Sequence, residues 1–214
     1  MPDPVQRIIG AVLAILTGPL LLALGLAVRL ETPGPAFLRA ERMGTGGHAF
    51  KCFKLRTMGA NRSDHGPGVT AGRDSRITRV GGLLRRFRLD ELPQLWNVAR
   101  GEMRLVGPRP EDPRFVDLEQ PLHREVFTAT PGLSGLTQLV YHDEGYLLDD
   151  APDPDAHYRE QILPRKVAID AAYLRNRSTS LDLWILARTP VALLGRKIRL
   201  PANVQAAIEE STDA

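Results

Sequence analysis

Residues 88–110 read RLDELPQLWNVARGEMRLVGPRP, and the reading of the whole chain turns on them. Two adjacent carboxylates, Asp90 and Glu91, precede Pro93, an apolar run at helical spacing (Leu92, Leu95, Trp96, Val98) and a Gly107-Pro108-Arg109-Pro110 turn. Local chemistry explains much of this. Aspartate is a favoured helix N-cap, glutamate suits the first turn through the helix dipole, and proline is tolerated there because its missing N–H would be unpaired anyway. The spacing therefore predicts a helix opened by Asp90. The same geometry has a chemical consequence, since free N–H groups at a helix start attract phosphate and a carboxylate there can meet a phosphoryl group. Cap and reactive carboxylate stand as two readings of the same residues.

Upstream, Ile8 to Val28 carries no charge and is flanked by Arg7 and Arg29. As a continuous helix this run spans about 32 Å, close to the ~30 Å hydrocarbon thickness of a bilayer. A spanning helix, a cleaved signal and a re-entrant helix all satisfy that pattern. Gly18-Pro19 at the midpoint predicts a kink, which would return the helix to the face it entered from. Cys52 is the single cysteine, so no internal disulfide forms, and a reducing compartment argues against the signal reading. Arg29, Arg39, Arg42, Lys51 and Lys54 put the following domain on the cytoplasmic side in either membrane topology.

Thr32-Pro33-Gly34-Pro35 closes the anchor. Ala36 to Arg39 and Phe50 to Arg56 read as short strands around Gly44-Thr45-Gly46-Gly47, a small hairpin. That turn matches Gly-x-Gly-x-x-Ala but precedes a strand instead of opening a helix, so it is no dinucleotide fingerprint. Lys54 and Arg56 alternate and are expected on one face of the strand. Asn61 to Ser75 reads as a loop; Ile77, Val80, Leu83, Leu84 and Phe87 then recur at helical spacing among Arg79, Arg85, Arg86 and Arg88. Such a basic amphipathic helix is either solvated or laid on lipid headgroups.

Further on, Pro131 to Gly135 reads as a turn, Asp149 to Asp155 as an acidic loop, and Tyr158 to Arg175 as a helix. Leu181 to Leu194 is apolar but interrupted by Arg188 and Pro190, and suits either an interfacial helix or the core. Residues 201–214 read as a dispensable tail. The 214 residues include 28 basic and 25 acidic side chains, with arginine far ahead of lysine, which suits phosphate recognition. The five scattered histidines lack the close spacing of a zinc site.

The run LDELPQLWNVARGEMRLVGPRP resembles the signature of the bacterial sugar transferase family, the monotopic phosphoglycosyl transferases. The hydrophobic segment with its central proline, FKLRTM from Phe53, PGLSG from Pro131, and the Asp170, Tyr173, Asn176, Leu181-Asp182 pattern carry the resemblance over roughly residues 5 to 195. It implies an α/β protein with a Pro-kinked re-entrant membrane helix over 1–31. A domain over 32–200 follows, built from a short β-hairpin or sheet and several amphipathic interfacial helices, then the tail at 201–214. The implied reaction moves a sugar 1-phosphate from a UDP-sugar to polyprenyl (undecaprenyl) phosphate at the bacterial inner membrane, with the catalytic domain facing the cytoplasm.

Asp90, at the position of the family nucleophile, would form an aspartyl phosphosugar and release UMP; it would also bind Mg²⁺, the implied cofactor. Glu91 completes the dyad, with a role in positioning the metal or the acceptor. The resemblance brings Lys54, Arg56, Arg109, Gln138 and Asp170 to the substrate. The implied partners are the UDP-sugar, polyprenyl phosphate and membrane lipid, without nucleic acid, and a homodimer is allowed. The chain departs from the family at Gly135 to His142, which lacks the usual tryptophan and Asn-Gly-Arg end, at Gly10 in place of a frequent aspartate, and at Gly18 in place of a frequent serine. The rival reading is a non-catalytic membrane scaffold on the same fold.

Overall fold

The computed structural model describes residues 1, 3–59, 68–142, 144–196 and 198–212. The fold is mixed α/β. Helix α1 (Asp3–Glu31) runs unbroken through Pro19. Its inner stripe includes Ala14, Leu21 and Val28, whereas Ile8, Ile15, Leu16, Leu22, Leu26 and Leu30 lie exposed. Water would penalise that second set, and lipid would not. Among the described residues this is the one helix long and apolar enough to cross a membrane.

The hairpin forms as expected: β1 (Phe37–Met43) pairs antiparallel with β2 (Ala49–Leu55), from Phe37 opposite Leu55 to Met43 opposite Ala49. Positions 61–67 of the expected loop lie outside the described residues. Helix α2 (Arg79–Arg86) starts at Thr78, whose hydroxyl accepts from Gly81 N at 2.9 Å. The Glu31 carboxylate, at the end of α1, accepts from Arg79 N at 2.7 Å and from Val80 N. The anchor thus caps the basic helix with its own last side chain. Gly81 is required here, because a Cβ would lie 2.1 Å from the Thr57 carbonyl oxygen.

A 3-10 turn (Leu89–Gln94) leads into α3 (Leu95–Arg100). Strand β3 (Arg104–Val106) is joined through α4 (Pro121–Phe127) to β4 (Gly132–Ser134), with which it pairs in parallel. The segment expected as a Pro131–Gly135 turn is therefore partly a strand. A side chain at Gly132 would collide with Gly107 N at 2.0 Å, so the close approach of the two strands depends on glycine. Helices α5 (Leu136–Val140) and α6 (Pro154–His157) follow, and a π turn (Tyr158–Ile162) continues into α7 (Leu163–Arg175).

Helix α8 (Thr179–Leu193) buries Leu181, Asp182, Ile185 and Ala192 and exposes Leu183, so one side of the interrupted apolar run is core. The expected tail is a correction: Ala202–Thr212 forms α9, and Val204 is fully buried against the core that contains Ile169, Tyr173 and Ile185. A short polar-looking sequence concealed one apolar stripe. Two further clusters complete the interior. Phe115, Phe127, Tyr158 and Leu163 pack under α4 and α7, and Leu21, Val28, Ala36, Leu55 and Leu84 join the anchor to the hairpin and α2.

Candidate active site

Asp90 and Glu91 sit inside the 3-10 turn, and neither caps a helix. The expectation of an Asp90 N-cap fails because Arg88 occupies the cap position, in the left-handed region at φ 53°, and it is the single described non-glycine residue with positive φ. Such a conformation costs an arginine about 1 kcal/mol. The surroundings hold it in place: Arg88 Nη2 donates to the His142 carbonyl at 3.0 Å, and Nη1 lies 3.5 Å from Glu91 Oε1. The turn aims both carboxylates into a cleft of about 720 Å³.

The two acids meet different partners. Glu91 Oε1 accepts from Arg109 Nη2 at 3.0 Å and lies 3.5 Å from Lys54 Nζ. Burial pushes the Glu91 carboxyl up, but Arg109, Lys54 and Arg88 overcome it and hold the group well below the usual carboxylate range. Asp90 Oδ1 is buried with no hydrogen-bond partner among the described residues. Burial, and then the neighbouring Glu91 charge, push Asp90 above its ordinary range despite Lys54, Arg85 and Arg88. The result is one unsatisfied carboxylate oxygen among cations.

Lys54 and Arg109 line the cleft. Arg109 is braced from behind, where its backbone N donates to Asp170 Oδ2 at 3.1 Å, and Thr137 donates its hydroxyl to the other Asp170 oxygen. Asp170 is buried beneath the cleft wall instead of lining it; burial, offset by those two hydrogen bonds, takes its pKa up to about 6. Arg56 and Gln138 are not brought to the cleft. Strand β2 ends at Leu55, and Arg56 turns back to donate to the Thr32 and Pro33 carbonyls, each at 2.8 Å. It closes the end of α1, a role with no local signal in the sequence. Gln138 donates to the Gly132 carbonyl at 3.4 Å, and its Oε1 is buried without a partner.

Three cleft groups escaped the sequence reading. Arg85 faces Asp90 from α2 and anchors its Nε on Thr57 Oγ1 at 2.9 Å; its helical spacing signalled a basic face but not which way that face points. Glu144 and Lys166, paired at 2.8 Å, come from segments 22 residues apart and carry no motif. Among the described residues no group of three or more His, Cys, Asp and Glu side chains could hold a metal. A single partnerless carboxylate oxygen in this cleft still fits Mg²⁺, which binds one or two carboxylates and takes its other ligands from phosphate and water.

Asp90 thus presents a carboxylate oxygen with no partner among the described residues to a cleft lined by Lys54, Arg85, Arg88 and Arg109. A family model described as bacterial sugar transferase matches residues 3–196. The chain belongs to the bacterial sugar transferase family. Among its relatives in that family is the UDP-N-acetylgalactosamine-undecaprenyl-phosphate N-acetylgalactosaminephosphotransferase of Aeromonas hydrophila, 39% identical over 88% of this chain and 44% of that protein. The UDP-glucose:undecaprenyl-phosphate glucose-1-phosphate transferase of Caulobacter vibrioides is 40% identical over 86% of this chain and 66% of its own length. The exopolysaccharide production protein PSS of Rhizobium leguminosarum bv. phaseoli is 34% identical, over 85% of this chain and 89% of that protein. The chain thus spans less than two thirds of the first two relatives and most of the third.

Proposed function

We propose that this bacterial sugar transferase moves a sugar 1-phosphate from a UDP-sugar to polyprenyl phosphate through a covalent intermediate on Asp90. The observation that carries the reading is the partnerless Asp90 oxygen, set beside a Glu91 whose charge is already taken by Arg109, Lys54 and Arg88. An Asp90 oxygen attacks the phosphorus that bears the sugar, the bond to UMP breaks with its electron pair, and UMP leaves. A polyprenyl phosphate oxygen then attacks the same phosphorus, and Asp90 departs as a carboxylate. The covalent route divides one difficult displacement into two. Lys54, Arg85 and Arg88 bind the phosphate oxygens, and Arg109 holds Glu91 in place between them. Mg²⁺, held by Asp90 and substrate oxygens, would neutralise diphosphate charge.

The anchor reading follows from contacts at both ends of α1. Near its start, Gln6 Oε1 accepts from Leu105 N at 2.9 Å, and Gly10 packs on Val98; at its finish, Glu31 caps α2 and Arg56 holds the last carbonyls. A helix that crossed the bilayer would carry one end ~30 Å from the domain. Both ends on one domain support a helix embedded from the cytoplasmic face, with its exposed leucines and isoleucines in lipid. UMP release measured over a panel of UDP-sugars, with and without undecaprenyl phosphate and Mg²⁺, tests the reaction. Release that needs Mg²⁺ and is lost in Asp90→Asn supports it; the same release from Asp90→Asn refutes the nucleophile.

A further inference from the structure

The cleft holds another carboxylate with an oxygen to spare. Glu144 opens the 3-10 turn Glu144–Leu148, and its Oε2 accepts from Lys166 Nζ at 2.8 Å. No described residue donates to Oε1. Lys166 is itself fixed, since Nζ lies 2.6 Å from the Tyr158 hydroxyl, which donates to Glu111. Both Glu111 oxygens are already engaged, Oε1 by Asp112 N at 2.9 Å. The Lys166 side chain is 4% exposed, whereas that of Glu144 keeps 24% of its surface open. Both line the cleft that contains Asp90.

Burial pushes the Glu144 carboxyl up, but Lys166 and Arg109 hold it below the ordinary range, so it is an anion at neutral pH. A fixed anion repels phosphate oxygens and accepts from neutral donors. Glu91, Arg109 and Glu144 line the same cleft as Asp90, which puts this acceptor in the site where the phosphate is proposed to react. The neutral group attached to that phosphate is the sugar.

We infer that Glu144, braced by Lys166, accepts a hydrogen bond from a ring hydroxyl or acylamino N–H of the donor hexose and takes part in choosing the sugar. The inference rests on the donor reading given above. A site built to hydrogen-bond a substrate group discriminates against donors that lack it or present it differently.

The test measures kcat/KM of the full chain for UDP-glucose, UDP-galactose and their N-acetylated forms with undecaprenyl phosphate, together with inhibition by UMP, in wild type, Glu144→Gln and Glu144→Asp. The expected result is a roughly tenfold or larger fall for the best donor, a changed ranking of donors, and UMP inhibition within about twofold of wild type. Glu144→Asp keeps the charge but retracts it, and should also change the ranking. UMP inhibition reports a folded site in each variant. Unchanged ranking in both variants overturns the inference. A uniform loss across donors with weakened UMP inhibition also overturns it, by moving Glu144 to the nucleotide. A wild type that releases no UMP from any donor overturns the donor reading first, and the inference with it.

Discussion

Asp90 and Glu91 are neighbours with the same functional group, yet one is surrounded by partners and the other has an oxygen with none. The difference comes from the turn. In a helical or 3-10 path adjacent side chains diverge by ~100–120°, so two carboxylates one residue apart do not make the same direct contacts. Glu91 takes Arg109, Lys54 and Arg88 and becomes a fixed charge; Asp90 is left buried, raised in pKa and unpaired. A paired carboxylate organises a site, and an unpaired one is available to react.

The largest way to break the comparison is Asp90→Asn, which should lower UMP release by about 10³-fold or more while leaving the fold intact, as circular dichroism would check. Removal of the partnered acid should do something different. Glu91→Gln strands three cations around one site and should destabilise the protein by about 2 kcal/mol, read by thermal unfolding in detergent. It should also lower turnover. An aspartyl phosphosugar that still accumulates at the wild-type rate in Glu91→Gln would confine Glu91 to the second half-reaction.

Asp90 must be ionised to attack, and burial together with the Glu91 charge raises its pKa, so activity should fall with decreasing pH above the ordinary aspartate range. Taking away the Glu91 charge removes a raising cause and unpairs cations that lower it. The acid limb of residual first-half turnover in Glu91→Gln should therefore lie at lower pH than in wild type. A limb that stays put would assign the titration elsewhere. The smallest effect concerns the residue that sets the turn: Arg88→Gly should be about 1 kcal/mol more stable than Arg88→Ala, because only glycine adopts φ 53° without strain. Equal unfolding midpoints would show that the left-handed Arg88 carries no strain.

Much of this was legible in the sequence because it is local. The hairpin over Phe37–Leu55, the basic helix around Leu84 and the adjacent Asp90-Glu91 pair follow from period, turn residues and charge. What failed depends on partners distant in the chain. Arg56 looked like a companion of Lys54, but the strand stops one residue earlier and carbonyls of Thr32 and Pro33 claim its guanidinium. Asp90 looked like a cap because nothing local announces a left-handed Arg88, which is held by a carbonyl 54 residues away. Asp170 was expected at the substrate, but it lies beneath the cleft wall and accepts from the backbone of Arg109. Glu144 and Lys166 had no motif at all, and Val204 hid in a polar-looking end.

The proposed reaction requires Asp90 to become covalently loaded. The direct measurement is intact-protein mass after incubation with a turned-over UDP-sugar and Mg²⁺ but no polyprenyl phosphate, with released UMP counted in parallel. The expected result is a mass increase of one sugar phosphate, matched by one UMP per loaded protein, absent in Asp90→Asn and discharged by added undecaprenyl phosphate. Turnover by wild type with no loaded species, or a species that persists in Asp90→Asn, would contradict it.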